Sequence, residues 1–400
     1  MLKLSKQDAR RLLVLHHFQP DSLQGAFERL GGVQYDPLNP LGRNHDLVLQ
    51  ARVPGYSVGD WQELTYQQRF LYDAWDKQAS LVMMHDYPMR RIYYEWHAPR
   101  WREAILDRYP EAVKTVLGEL HERGPLSSTD FYYQKHHEQW EGSWYGPKLT
   151  KNVLRALWHT GQVHTCGRNK GKHVYDLARK VVPSHLYHAE PIPAKQCIDW
   201  LILRRHRALG LMRPNAGTAV WSLGISAAER RKRLQELLQR GALVAVDVAG
   251  VVYHALPQTL EHLDKRVQND DHQMRFVAPL DQLIWDRPAV AHLFNFEYVW
   301  EVYKPKKLRR WGYYVLPVML GDGFVARIDS SMSNGVWCVH KWYWEDGVKS
   351  TPEVLDALAQ AVCRFRSYLK AETLKLPRGL TRQLREAFRS GFKCISRYSI

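Results

Sequence analysis

The chain's 400 residues exceed one small domain and fit roughly two to four modules, with 45% hydrophobic and 12% aromatic residues to build their cores. A formal net charge of +16, beside 15 Trp and 21 Tyr, matches a polyanionic partner, because each neutralised phosphate releases counterions; charge kept for solubility is the plain alternative. No run of about eighteen apolar residues exists to span a membrane, the charged N-terminus MLKLSKQDARRLLVLHH is no secretory signal, and Cys166, Cys197, Cys338, Cys363 and Cys394 form no CxxC, so they read as reduced cytosolic thiols rather than a zinc ribbon or redox pair.

The first predicted helix opens on a capping box, Ser5 with Asp8, and continues through Leu12, Leu13 and Leu15. A second follows Pro20, capped by Asp21 or Ser22, and ends at Gly31-Gly32. The segment VQYDPLNPLGRNHDLVL is turn-rich and has no helical period. Helical spacing returns over 65–75 and again from about Pro88 to Leu106.

From residue 111 one rhythm occurs twice. The first copy has a helix at 111–122, a short helix start in GPLSSTDF, a helix over 147–161 with Pro147 at N1, and the extended runs QVHTC and HVYDLA around GRNKGK. The second runs from the helix 195–210 through RPNAGTAVWSLG to a helix at 226–241 with a Ser226/Glu229 capping box. It ends in two strands around Ala249-Gly250. Helix, short helix, helix and hairpin is the winged-helix plan. After about 270 the chain turns β-rich and aromatic (FVAPLDQLIW, FEYVWEVY, RRWGYYVLPVML, FVARIDS, GVWCVHKWYW), which suggests a small antiparallel sheet or barrel. A helix from Pro352 and a basic tail close it. The expected class is α+β: tandem winged-helix units followed by a C-terminal antiparallel β-barrel.

Positive charge is clustered. The tip GRNKGKH carries Arg168, Lys170 and Lys172 among glycines that permit close backbone approach, as a wing on phosphates requires. The corresponding tip of the second copy, DVAGVV, is apolar. Lys306, Lys307, Arg309 and Arg310 precede an aromatic strand. Each cluster alone also fits a solvated face; together beside aromatics they favour a phosphate-tracking surface.

No GxSxG elbow, P-loop, HExxH or grouped acidic set is present, and the 19 His are dispersed. Neither a metal nor another cofactor is expected. Gln34-Tyr35-Asp36 is the candidate chemistry. Pro37 pushes Asp36 toward extended geometry, where Gln34 and Asp36 share a face and Tyr35 points opposite. An amide and a carboxylate side by side can hold a water, the Asp accepting its proton. On these residues alone an Asx turn begun by Asp-Pro explains the segment better.

QYDPLNPLGRNHDLVLQARVPGY resembles the motif that marks the AlkZ/YcaQ DNA glycosylases, Gln-hydrophobic-Asp or Gln-hydrophobic-Gln followed by an Asn-bearing, Arg-containing stretch; the Asp at the third position looks like the YcaQ branch. WHTGQVHTCGRNKGKHVYDLARKVVP, APLDQLIWDRPAVAHLFNFEY and RRWGYYVLPVMLGDGFVARID are similar too, in the right order along nearly the full length. The resemblance implies three winged-helix units and a C-terminal barrel. That places an N-terminal unit with the QYD segment at 1–110, a second winged helix with a basic wing at 111–190, a third at 191–262, and the barrel with its helix and tail at 263–400. It also implies excision of N7-alkylguanine adducts, including interstrand crosslinks, with Gln34 and Asp36 as the catalytic pair. Arg43 and His45 follow closely enough to contact the flanking phosphates or the abasic sugar, and Asn39 is a further candidate DNA contact. For His45, capping of the LVLQ segment is an equal reading. Where YcaQ-like members carry Trp-Ala-His-Glu-Ala, this chain has Trp75-Asp76-Lys77-Gln78-Ala79, a departure that bears on lesion identity.

One carboxylate is enough for such chemistry. Ordinary glycoside hydrolysis uses a second to protonate the leaving group. N7-alkylguanine is already cationic and departs neutral, leaving Asp36 and Gln34 to stabilise the sugar cation and aim a water. No Lys stands in the segment, so hydrolysis without strand cleavage is expected. The protein is expected to act as a cytoplasmic, nucleoid-associated monomer on double-stranded DNA with alkylated bases. A non-enzymatic winged-helix regulator is the alternative.

Overall fold

A computed structural model describes residues 1–19, 22–135, 148–169, 171–264 and 273–394. The chain forms two compact units: Met1–Trp61 with Ile202–Ile400, and Gln62–Leu201.

The first unit begins as the sequence reads. Ser5 Oγ accepts the Asp8 N–H (3.1 Å) and Asp8 accepts the Ser5 N–H (3.3 Å), opening the helix Lys6–Phe18. Ser22 caps the helix Leu23–Leu30 by accepting the Gly25 N–H, while Asp21 lies outside the described residues. Gly31 ends it at φ 74°, a left-handed turn that costs glycine least. A two-residue strand, Val33–Gln34, follows. The stretch beyond it differs from expectation: NHDLVLQ is a helix, Asn44–Gln50, all buried but for its last residue. Burial on every side erases the two-faced pattern that would have announced it.

Farther along, the helix Ala194–Leu209 runs through the boundary between the units. Ser226 accepts the Glu229 N–H (3.1 Å) to open Ala227–Gln239. The strands Val244–Val248 and Val251–Ala255 then form the hairpin predicted at Ala249-Gly250, both of which have positive φ, as a primed turn requires. The strand Leu2–Leu4 adds itself parallel to Val244–Val248, a pairing with no local signal.

The C-terminal sheet is not the closed antiparallel barrel the sequence suggested. Its strands lie in the order Met274–Phe276, Val315–Leu320, Gly323–Ser333, Val336–Trp344, Thr373–Lys375; the last joins in parallel, and the two edge strands do not pair. Register shifts at Val318/Met319 and Asp329/Ser330 curl it into an open half-barrel. Closure is pre-empted because helices Pro352–Leu369 and Arg382–Lys393 pack against it. Phe365 meets Phe276 (ring centroids 4.7 Å) and Trp337 (5.3 Å), and Phe388 meets Trp342 (5.4 Å). What read as a basic tail is thus largely an amphipathic helix burying Leu384, Ala387 and Phe388. It packs so closely that a Cβ on Gly391 would collide with the Ala359 carbonyl. FEYVWEVY is not a strand: Phe296 and Tyr298 are core residues of an irregular segment.

The unit's core joins Leu12, Leu13 and Phe18 of the first helix to Val246 and Tyr253 of the hairpin and to Ile284, Phe296 and Phe324 far downstream. A buried bidentate pair, Arg52 with Asp281 at 2.7 Å for both bonds, lies in the same unit.

The second unit starts with a correction. Of the stretch 65–75 only residues 65–67 are helical, in the π-type turn Glu63–Gln67, and Leu71–Trp75 is a strand paired with Ala79–Met83. The helix Tyr87–Trp101 follows, with Pro99 inside its last turn, and then a second π-type turn at Arg102–Leu106. GPLSSTDF is not a helix start: Leu126–Ser127 pairs with the hairpin Val163–Asn169/Lys172–Leu177. Helices Pro110–Arg123 and Leu149–His159 pack over that sheet through Val116, Leu120, Val153, Leu157 and Val163. Pro147 lies outside the described residues. Among the described residues no helix is long and apolar enough to cross a membrane.

Candidate active site and nucleic-acid surfaces

The QYD segment lies in the first unit and is braced from two distant places. Asn44 Nδ2 donates to the Gln34 carbonyl (3.0 Å) while its Oδ1 accepts the Leu280 N–H (3.1 Å), and Gln282 Nε2 donates to the Gly32 carbonyl (2.6 Å). Asn44 and Gln282 are both fully buried. They lie in the segments NHD and LDQL that carried the family resemblance, yet their bracing role left no readable signal, since it depends on a partner more than two hundred residues away.

Only Val33–Gln34 is regular strand, and Tyr35 and Asp36 follow it in irregular backbone. Tyr35 stacks on the His45 ring (4.3 Å, 15°) and meets Trp61 edge-on (5.9 Å). Gln34 is 8% exposed, and its Oε1 is buried with no hydrogen-bond partner among the described residues. Asp36 is partly exposed, and its Oδ1 accepts the Leu38 N–H at 2.9 Å. Burial pushes the Asp36 carboxyl up from its ordinary 3.8, against the pull of that N–H. Burial and then the Asp36 charge raise the Tyr314 hydroxyl, so Tyr314 stands within electrostatic reach of Asp36; no local signal near residue 36 points to it.

Asn39 is exposed and Arg43, half-buried, precedes the helix Asn44–Gln50. His45 departs from the expected DNA-facing position. Its side chain is 0% exposed, stacked on Tyr35, edge-on to Trp61 and 3.5 Å from Asp46, so it cannot reach a phosphate.

In the second unit, Lys172 is exposed and Lys170 lies outside the described residues. Arg168 is not a free wing cation. Its guanidinium donates to Asp73 (3.0 Å) and to the Tyr66 hydroxyl (2.9 Å), and both ends of the ion pair are buried. A single acidic residue from the preceding hairpin is enough to turn the charge inward.

Lys306, Lys307 and Arg310 are exposed and Arg309 partly so, in a loop that also exposes Tyr303 and Leu308. Buried Glu301 organises it, accepting the backbone N–H groups of Arg310 (3.1 Å), Trp311 (2.8 Å) and Gly312 (3.4 Å) and the Lys304 ammonium (2.9 Å). Arg309 also donates to the Lys304 carbonyl, and Arg310 lies over the Trp311 ring. Among the described residues no group of three His, Cys, Asp or Glu side chains could hold a metal ion.

A mixed α/β chain, basic at the 167–173 hairpin tip and in the 306–310 loop and carrying one partly exposed carboxylate in a cross-braced segment, has the make-up of an enzyme acting on nucleic acid. The family described as DNA glycosylase AlkZ-like matches residues 27–368, and the chain belongs to that family of DNA glycosylases. The fold is similar to that of Streptomyces sahachiroi DNA glycosylase AlkZ, with a TM-score of 0.62 at 13% identity over 94% of this chain and 100% of that one. Family membership sets aside the non-enzymatic regulator.

Proposed function

We propose that this glycosylase hydrolyses the N-glycosidic bond of cationic alkylated bases in duplex DNA, N7-alkylguanine foremost, with Asp36 as its reactive carboxylate and Gln34 as the group that orients the water. The observation that carries this reading is the pairing of the two states just described. Asp36 is turned to a fixed orientation by the Leu38 N–H with its basicity raised by burial, two residues from an amide whose buried oxygen has no hydrogen-bond partner among the described residues. A carboxylate of raised pKa is the better proton acceptor. Its charge also opposes the oxocarbenium-like charge that develops on the sugar.

The lesion class follows from what the QYD segment lacks. A neutral base needs an acid to leave, and the segment holds one carboxylate only. A base already cationic needs none, whether the alkyl group belongs to a simple adduct or a crosslink. Exposed Asn39, Lys172, Lys306, Lys307 and Arg310, with Arg43 and Arg309, are the proposed DNA contacts. The helix-plus-hairpin groups ending at 163–177 and 244–255 are read as winged helices, the first of which presents Lys172.

Duplexes bearing a single N7-methylguanine, incubated with the protein and then treated with alkali, should be cut at the lesion. Identical duplexes bearing uracil should stay intact. Uracil excision at a comparable rate would mean that an acid acts from elsewhere, and an uncut N7-methylguanine duplex would refute the lesion class.

A further inference from the structure

The second unit contains a cleft of about 190 Å³ that the QYD chemistry does not use. The helix Tyr87–Trp101 supplies two adjacent ridges to it, Trp96 with Arg100 and His97 with Trp101, each pair spaced i, i+4. Arg155 and His159 form a matching ridge on the helix Leu149–His159, and Trp75 closes the cleft from the end of its strand. The Trp75 edge is locked: Arg90 donates to the Trp75 carbonyl (2.8 Å) and to Asp76 (3.2 Å), which also accepts the Tyr93 hydroxyl (3.1 Å). Asp76 is the first residue at which this chain departs from the Trp-Ala-His-Glu-Ala pattern, so the departure serves to fix the cleft's rim.

The lining has a specific chemical character. His159 stacks on Trp101 (4.8 Å, 15°) and lies 5.1 Å from Trp75, ring to ring, while its Nδ1 is 3.4 Å from Nδ1 of His97. Burial, then the His97 neighbour, holds His159 down at about 3, and burial followed by Arg100 lowers His97 as well, so both imidazoles are neutral at physiological pH. Arg100 and Arg155, both exposed, are then the fixed charges of the lining, and both guanidinium groups approach the same ring, Trp101 (5.9 and 5.5 Å). Aromatic walls select a planar ligand, and two cations without a lining carboxylate select an anion. The volume is below the roughly 300 Å³ at which drug-sized ligands begin to fit.

We propose that this cleft binds one unstacked nucleotide, its base against the tryptophan rings and its phosphate on Arg100 and Arg155. The nucleotide is either an extrahelical residue of a DNA strand or a free nucleotide. The proposal rests on the glycosylase reading only for the first of these sources. Stacking on aromatic rings combined with cationic capture of the backbone is how unpaired strands are held without sequence preference. Extrusion from the duplex is what supplies an unpaired residue in base-excision chemistry.

The full-length protein, titrated with 2′-deoxyguanosine 5′-monophosphate, deoxyguanosine and inorganic phosphate by saturation-transfer NMR and calorimetry, tests this. The monophosphate should bind about tenfold or more tighter than the nucleoside, a charge-assisted gain. The double variant Arg100→Ala/Arg155→Ala, at exposed positions where folding is not at stake, should remove that gain and leave nucleoside binding unchanged. Trp96→Ala should weaken both ligands. No saturable binding of the monophosphate, or equal binding by the double variant, would overturn the site. Displacement of the monophosphate by a short oligothymidylate assigns the nucleotide to a strand; binding without displacement assigns it to the free pool. Asp36→Asn should retain nucleotide binding, so a wild-type protein that takes the monophosphate yet excises no base would sink the excision reading while the cleft stands.

Discussion

The Asp36 carboxylate accepts the backbone N–H of Leu38 at 2.9 Å, closing an Asx turn across Pro37. The turn and the proposed chemistry are complementary rather than competing: one oxygen is used to fix the side chain's direction, and the group remains partly exposed to a substrate. Asn at this position keeps the accepting oxygen and loses the charge. Asp36→Asn should therefore slow single-turnover excision of N7-methylguanine by at least about a hundredfold. Its melting temperature should not fall. The folded-state pKa is raised, so the ionised carboxylate costs stability at neutral pH, and a neutral replacement removes that cost. Undiminished excision would take Asp36 out of the mechanism; a large drop in melting temperature would make its role structural.

The same shift sets a pH dependence. The reactive form is the ionised one, and burial raises the pH at which it forms above the ordinary 3.8. The single-turnover rate should fall as pH drops through that raised value, with a limb lying above the range of a solvent-exposed aspartate. The residual rate of Asp36→Asn should lack this limb. A wild-type limb at the exposed-aspartate position would show that another group titrates.

Arg168 and Asp73 make a buried pair at 3.0 Å, completed by the Tyr66 hydroxyl. Removing one partner strands the other's charge in the interior. Arg168→Ala should destabilise the protein by about 3 kcal/mol in denaturant unfolding. Lys172→Ala, at an exposed position, should leave stability unchanged and lower the slope of log K against log salt by about one on duplex DNA. Opposite results, with Arg168→Ala changing only DNA affinity, would return Arg168 to the wing's phosphate surface.

Glu301 holds the basic loop by its backbone. Burial works to raise its pKa, but the N–H groups of Trp311, Arg310 and Gly312 and the Lys304 ammonium outweigh it and bring the carboxyl from 4.5 to about 2. A depressed pKa contributes stability that is complete above 4.5 and lost as pH falls through about 2. The stability difference between wild type and Glu301→Gln should thus be largest near neutral pH and shrink toward pH 2. The variant should also bind duplex DNA more weakly although every cation remains. The double change Lys306→Ala/Lys307→Ala should instead lower the salt slope by about two and leave unfolding unaltered. A Glu301→Gln protein indistinguishable from wild type at pH 7 would show that the loop needs no anchor.

Local chemistry was legible in the sequence. Ser5, Ser22 and Ser226 cap helices where they were expected to, Gly31 and Gly161 sit at helix ends with positive φ, and Ala249-Gly250 turns the second hairpin. Each depends on dihedral preferences and hydrogen bonds within a few residues. The family was readable too, because its motifs are contiguous. Tertiary packing decided the rest. It buried His45 behind Tyr35, drew Arg168 inward to Asp73, made a helix of the all-buried Asn44–Gln50, and kept the C-terminal sheet open by laying two helices across it. A side chain's charge or apolar surface is fixed by its covalent structure, whereas its direction is fixed by whatever partner the folded chain brings within reach. For Arg168 that partner stands 95 residues away, and for the Asn44 brace of the QYD segment 236.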